Sequence, residues 1–468
     1  MTIKPYCILF GAALMLAGCG KDFLEKKRDQ NQSNPKTISD YQQLLDNFTT
    51  ISNNASIHLS LVAGDEFTAT DAQITVYKNG LPFQANAYLW EKEIYEGKEG
   101  LDWNNAYHRI LYTNMALQVE NVKPAAGEQA AWNNVKGSAL FLRAYSYYQL
   151  AQLFCQPYDA STAATDPGVP LKVDYDVTQK LPRGTVADVY NLIVKDLEGA
   201  IALLPEKQQY PTRPGKAAAA TLLARTYMHM GDFTKMRDYA DMSMKINSVV
   251  SDFNSMSANF KAAGFYPSDY GASNPEILFY IQVSKPGLAS INFNADPALR
   301  ALYEKGDLRD SAFFKADSKG YMDFKASLAG PYSSFGGLTT TEALLMRAEA
   351  NARLNQKDAA LADLNILRKA RFRNDINPET GEPYYKPAVA ADANEALKLV
   401  IKERRLELFF RGHRWEDLRR LSKDPQFATK LTRVYNGKTY TLEPNSPRYT
   451  FPLPDNEVLT NNYTQNPR

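Results

Sequence analysis

The sequence predicts a mainly α-helical protein, a scaffold of tetratricopeptide-like helical hairpins carrying irregular insertions of loops and short strands. Three observations predict it. Long segments repeat apolar residues at helical spacing, as in Leu140, Ala144, Tyr147, Ala151 and Phe154, which form one stripe. Two helix–turn–helix segments share one pattern of small and large residues. Two stretches, about 53–100 and 247–338, are rich in Gly, Asn and aromatics and hold no lasting helical period.

The chain of 468 residues is 44% hydrophobic, enough apolar material for a sizeable core. A formal net charge of +2 gives no electrostatic footprint for nucleic acid. Three cysteines make no disulfide framework, and Cys155 reads as a small buried hydrophobe. The N-terminus reads as a signal peptide over 1–18: Lys4 supplies the positive charge, and "PYCILFGAALMLAG" is an apolar run too short to span a bilayer. Ala17 and Gly18 provide small residues before Cys19. An ordinary secretory site needs no cysteine there, so "LAGC" resembles the cleavage box of a bacterial lipoprotein, with Cys19 lipidated. Several acyl chains on one residue anchor stably where one chain is marginal. The polar stretch 19–36 is then a flexible tether, and 37–468 the folded body.

Thr37 and Asp40 fit a capping box for a first helix. After the first insertion come helices over 103–122 and 130–154, a Pro/Gly/Asp-rich linker, and a helix capped by Thr185 and Asp188 and ended by Pro205. Next is a hairpin in which Gly231 ends one helix in a left-handed conformation and Asp232 caps the next. The step from Ala224 to Met236 returns as Ala348 to Ala360, with Asn355 where Gly231 stood. Small residues at both points let paired helices approach closely. The second insertion lies between these copies and contains a strand in "NPEILFYIQVS" and a short helix and turn in "DPALRALYEKGDLRDSAFF". The last 45 or so residues are Pro- and Asn-rich and read as a wrap without a fold of its own.

Chemistry-bearing motifs are few. The histidines His58, His108, His229 and His413 lack metal-ligand spacing, and no phosphate loop, dinucleotide fingerprint or nucleophile elbow occurs. "IKERRLELFFRGHRWEDLRR" interleaves acids with arginines, and Glu407–Arg411 and Glu416–Arg420 have the spacing of intrahelical pairs, which makes a structural polar network. The aromatics stand out, with 28 Tyr and 22 Phe but four Trp. Trp103, Trp132 and Trp415 sit on helical patterns. Trp90 sits in the first insertion with Tyr77, Tyr88 and Tyr95. Rings beside polar groups suit sugars or extended peptides, since the ring is a flat apolar platform and the polar groups fix orientation.

Several segments together resemble the SusD/RagB family of outer-membrane nutrient-binding lipoproteins of Bacteroidetes: "CGKDFLE", "WNNAYHRILYTNMAL", "GSALFLRAYSYYQLAQLF" followed by "GVPL", "TVADVYNLIVKDLEGAIALLP", "AAAATLLARTYMHMGDF", "EALLMRAEANARLN", "ERRLELFFRGHRWEDLRR" and "FPLPDNEVLTNNYTQNPR". The likeness covers nearly the whole mature chain. It departs at Cys155, where the family often has glycine, and at Arg411, where an acid is common. The resemblance implies four tetratricopeptide-like hairpins with binding loops on one face, a cell-surface outer-membrane location, no cofactor and no catalysis. It also implies a TonB-dependent SusC-type β-barrel transporter as partner, over which the lipoprotein sits as a hinged lid. The ligand is a glycan or an oligopeptide nutrient; a lipoprotein glycosidase and a tetratricopeptide assembly scaffold are the competing readings. The expected site lies where the insertion around Asp65 to Tyr95 meets that around Tyr266 to Phe335. Trp90 is the leading stacking platform; Tyr77, Tyr88, Tyr266, Tyr270, Tyr332 and Phe335 are further rings, and Asp65 and Asp71 are hydrogen-bond acceptors.

Overall fold

Thr37 opens the first helix, α1 (Ile38–Leu45), through the expected capping box: its hydroxyl accepts from the Asp40 amide and the Asp40 carboxylate accepts from the Thr37 amide. The computed structural model describes residues 35–256, 274–284, 294–316, 322–324, 327–330 and 333–468. The first insertion is more helical than the sequence pattern suggests. It holds α2 (His58–Ala63), a short strand β1 (Phe67–Thr68), α3 (Asp71–Gly80) and α4 (Pro82–Tyr88). Every residue of α2 and α4 is buried, and a helix enclosed on all sides shows no polar–apolar period for a sequence reading to find. Asp102 caps α2 from a distant helix, accepting from the amides of His58 and Leu59 at 3.0 and 2.8 Å.

The scaffold follows as α5 (Leu101–Leu117), α6 (Gln129–Phe154), α7 (Val186–Leu203), α8 (Lys216–Met230) and α9 (Phe233–Ile246), with β2 (Pro167–Pro170) and β3 (Arg183–Thr185) paired in the linker. Each helix packs on the next, and α9 packs on α12 (Thr340–Arg353), which pairs with α13 (Lys357–Arg371) and then α14 (Ala393–Glu407). The predicted stripe on α6 understates its burial: every residue from Phe141 to Phe154 is buried, because helices flank it on both sides. Its polar members are satisfied there, Arg143 by a bidentate bond to Asp196 on α7 at 2.7 and 2.8 Å. Cys155, at the end of this helix, is a buried free thiol pushed up to about 12 by burial.

The two hairpin copies behave as their spacing predicts. Gly231 sits at φ +77° and Asp232 caps α9 by accepting from the Lys235 amide; Asn355 takes the equivalent left-handed place at φ +60°. Ala224, Met236, Ala348 and Ala360 are all fully buried. The copies, distant in the chain, are neighbours in space through α9 and α12, so the second insertion loops out from between adjacent helices. Its two ends are fastened together: the Thr340 hydroxyl donates to the Val249 carbonyl at 2.5 Å and the Thr340 amide to the Glu276 carbonyl at 2.9 Å.

The described parts of that insertion form β4 (Ile277–Phe279), β5 (Gln282–Ser284), β6 (Asn294–Ala295), α10 (Pro297–Arg300), α11 (Leu308–Phe313), β7 (Phe314–Ala316), β8 (Met322–Phe324), β9 (Ser333–Phe335) and β10 (Leu338–Thr339). After α14 come α15 (His413–Leu421), the hairpin β11 (Leu431–Tyr435) and β12 (Lys438–Leu442), and α16 (Asp455–Asn461). The C-terminal stretch therefore has structure of its own. Asn436–Gly437, both with positive φ, is the signature of a tight hairpin turn.

The charged run Ile401–Arg420 is an internal network, but the ion pairs it makes are not the expected Glu407–Arg411 and Glu416–Arg420. Glu407 binds Arg371 at 2.8 Å and Arg309 at 3.3 Å, while Arg420 binds Glu349 at 2.6 Å and Asp417 at 2.8 Å. The charges point into the body, where contacts with other elements join the same-helix ion pair between Asp417 and Arg420.

Candidate functional site

The two insertions do meet. β1 of the first pairs antiparallel with β6 of the second, Phe67 opposite Ala295 and Thr68 opposite Asn294, in a sheet of order β1-β6-β8-β7. Beneath this sheet Phe67, Phe314, Phe324, Phe409 and Phe410 form an aromatic cluster, with Phe324 and Phe410 ring centroids 4.4 Å apart. Beside it opens a cleft of about 750 Å³ whose wall includes Thr68, Asn294, Pro297, Arg300, Tyr303 and Glu304. Arg300 and Asp310 form a bidentate pair at 2.9 and 2.6 Å, both about a third exposed, with the guanidinium over the Phe314 ring. A donor–acceptor pair held in this way faces a ligand with both a hydrogen-bond donor and an acceptor already in place.

The turn Lys305–Asp310 separates this cleft from a second, also of about 750 Å³. Asp307 lines both and is buried, fixed by Arg309 at 2.7 Å; Arg309 in turn reaches Glu403 and Glu407 on α14. Glu304 is tied to Arg368 on α13 and Lys402 on α14 at 2.9 and 3.0 Å. Burial pushes the Glu304 carboxyl up, but the bonds to Arg368 and Lys402 outweigh it and hold it below its ordinary range. The scaffold thus fixes the cleft wall before any ligand arrives.

Four of the six described residues that were expected to bind ligand have other work. Trp90 is not a stacking platform: it is 1% exposed and its indole N–H donates to the Ala63 carbonyl at 3.0 Å. Arg433, from β11, slides its guanidinium between Trp90 and Tyr88, 4.3 and 3.6 Å from their ring centroids, and donates to the Val62 carbonyl at the end of α2. Tyr88 is buried, and its hydroxyl accepts from the Ala69 amide. Phe335 is fully buried beside Tyr280. Asp65 is consumed by Arg414 and Arg405; burial pushes its carboxyl up, but the two guanidiniums outweigh this and hold it at about 2. Asp71 is exposed at the start of α3 and accepts from the Asn436 amide, with Tyr77 half-buried on the same helix. Tyr266, Tyr270, Tyr332 and Cys19 lie outside the described residues. Arg300, Asp310, Asn294 and Glu304 were missed by sequence reasoning. The dense charge of "DPALRALYEKGDLRD" within an insertion was the available signal.

Three of the four histidines are buried in the body. His58 bonds Asp102 and His413 bonds Glu416, while burial pushes His229 down to about 3. Among the described residues no group of His, Cys, Asp or Glu can hold a metal, and no helix is long and apolar enough to cross a membrane.

Two family profiles match the chain: one described as starch-binding and associating with the outer membrane, over residues 22–228, and one described as the SusD family, over 340–468. The SusD-like protein P2 of Formosa agariphila is 26% identical over 419 residues, covering 77% of this chain and 78% of that protein. Among solved structures, a SusD superfamily protein of Bacteroides fragilis superposes with a TM-score of 0.72 at 21% identity, over 92% of this chain and 99% of its own. Surface glycan-binding protein A of Bacteroides uniformis gives 0.69 at 16% identity, over 92% and 99%. A helical scaffold of this order, with both profiles falling on it in sequence, defines a class of outer-membrane-associated binding proteins. The chain belongs to the SusD/RagB family.

Two outcomes follow from this packing. Trp90→Ala, measured by urea denaturation, should destabilise the fold by about 3–5 kcal/mol, as expected for truncating a buried large aromatic. The second concerns Glu66, buried beside the aromatic cluster, where one carboxylate oxygen accepts from the Phe410 amide and the other has no hydrogen-bond partner among the described residues. Burial raises its pKa from 4.5 to about 7, with Asp65 adding to the rise and the Phe410 amide, Arg414 and Arg405 opposing it. The stability contributed by the neutral carboxyl is full below the unfolded value of 4.5 and is lost as pH rises through about 7, by roughly 3 kcal/mol. Denaturation curves from about pH 4 to 8 should show this decline in the wild type and a flatter profile in Glu66→Gln.

Proposed function

We propose that the chain is a cell-surface glycan-binding lipoprotein that captures an oligosaccharide and delivers it to a TonB-dependent SusC-type transporter. The observation that carries this reading is the preformed cleft at the meeting of the two insertions, with its partly exposed Arg300–Asp310 pair. A paired guanidinium and carboxylate offers donors and acceptors without net charge, which suits the neighbouring hydroxyls of a sugar. The family description as starch-binding supports the same class, as does the name of the Bacteroides uniformis neighbour. Tyr266, Tyr270 and Tyr332 are proposed, on sequence grounds, as the rings that complete the site.

Binding is favoured over glycoside hydrolysis by the state of the acids. Hydrolysis needs a carboxyl held protonated as general acid opposite a second carboxylate. Here Glu304 is held low by Arg368 and Lys402 despite its partial burial, and Asp310 and Asp307 are each paired with an arginine. An oligopeptide ligand is the other outcome that a binding test can return.

The anchor belongs to the same reading: signal peptide 1–18, lipid on Cys19, a tether over 19–36 and one folded body over 37–468. Extracted from native outer membranes in mild detergent, the protein should carry acyl mass on Cys19 and bring down a β-barrel. An unmodified thiol, or a lone monomer with the transporter present, would count against it. For the cleft, calorimetric titration with malto-, cello-, xylo- and galacturono-oligosaccharides and with mixed oligopeptides should give binding to a sugar series. Arg300→Ala should weaken that binding about ten- to a hundredfold with the melting temperature little changed. Unchanged affinity would remove this cleft from the site.

A further inference from the structure

The second cleft repeats the chemistry of the first. Arg373 and Asp375 form a bidentate pair, about half exposed, with a 2.8 Å bond from Nε, and the guanidinium lies 4.5 Å from the Tyr384 ring centroid. Arg300, Asp310 and Phe314 are the same three elements on the other side of the turn. Asp310 lines both clefts, as do Lys305, Gly306 and Asp307, so the two spaces adjoin along one stretch of backbone.

This second cleft is built in advance. The Arg373 amide donates to the Gly306 carbonyl at 2.9 Å, and Asp307 bridges Phe372. Asn254 joins a third segment by donating to the Phe372 carbonyl and accepting from the Asn374 amide. Gly306, at φ +92°, is required where it stands: a Cβ there would lie 2.4 Å from Tyr384 Cδ1, so any other residue would push the ring off the turn. Each cleft alone is at the upper end of the volume that holds one small ligand, roughly 300–1,000 Å³.

Two like sites, each a neutral Arg–Asp pair backed by a ring, on either side of a shared turn, match a ligand whose own chemistry repeats. We infer that the clefts are two subsites of one groove, and that the ligand is a linear oligosaccharide long enough to cross the Gly306 turn and engage both pairs. The inference rests on the glycan reading proposed above and extends it to ligand length and to Arg373, Asp375 and Tyr384. A second subsite joined by a continuous ligand adds its binding at high effective concentration, so affinity should climb with chain length until both are filled.

The test is titration of the full mature chain with the same four oligosaccharide series, from disaccharide to octasaccharide. In the wild type, affinity for the longest members of the bound series should exceed that for the shortest by at least about tenfold. Arg373→Ala, a substitution at an exposed side chain, should collapse that long-to-short ratio towards one, and Tyr384→Ala should do the same. Arg300→Ala should lower affinity at every length. A wild-type affinity that is flat with length, or a ratio untouched by both second-cleft variants, overturns the two-subsite groove and leaves the glycan reading standing. Binding of no series at any length overturns the glycan reading, and the groove with it.

Discussion

The Arg309, Arg371, Glu403 and Glu407 lattice is what joins the helices to the loops. Arg371, on α13, binds Glu407 on α14 and Glu276 at the edge of the second insertion, and its third arm donates to the Ser251 carbonyl at 2.6 Å. Arg309, inside the insertion, reaches back to the same Glu407 and to Glu403. Both guanidiniums are fully buried. Burying charge costs free energy that only close pairing offsets, and removing one member of such a pair typically costs about 3–5 kcal/mol. A loop resting on apolar contacts alone could slide over the helices; a loop pinned by forked, directional bonds has one register.

That register explains why a cleft forms where it does. The Lys305–Asp310 turn projects from the pinned segment, and the spaces on either side are the clefts. The sheet beside the first cleft is small, and β1 and β6 contribute two residues each. It is held less by its own ladder than by the phenylalanines beneath it, of which Phe409 and Phe410 come from the connection between α14 and α15. The helices and the two insertions therefore share one support, and a change in α14 would be felt in the cleft walls.

The scaffold was legible because its signals are local. Thr37, Thr185, Gly231, Asp232 and Asn355 each do what their neighbours in sequence imply. The candidate site was legible only as a place, the meeting of two insertions. Its residues were not, because burial in the insertions is decided by distant partners. Trp90 stands at the tip of α4 in a left-handed conformation, outside any helical period, and so reads as free. It is part of the hydrophobic core and is covered in part by Arg433, and no local pattern announces a guanidinium arriving from a C-terminal hairpin. Asp65 reads as an acceptor for the same reason, since Arg405 and Arg414 lie far along the chain. The hairpin itself was announced by Asn436–Gly437, a signal outweighed by the surrounding Pro and Asn content.

The clasp between Val249 and Thr340 has a consequence for how such a protein can change. With the two ends of the second insertion bonded to each other and to neighbouring helices, the chain between them begins and ends at one fixed doorway. The entropy of closing a loop grows only logarithmically with its length, so each doubling costs only about 0.6 kcal/mol. Segments can be lengthened, shortened or exchanged at that doorway while α9 and α12 stay in contact. The second insertion is in that sense a cassette, and the helical stack a mount that accepts a new one without refitting.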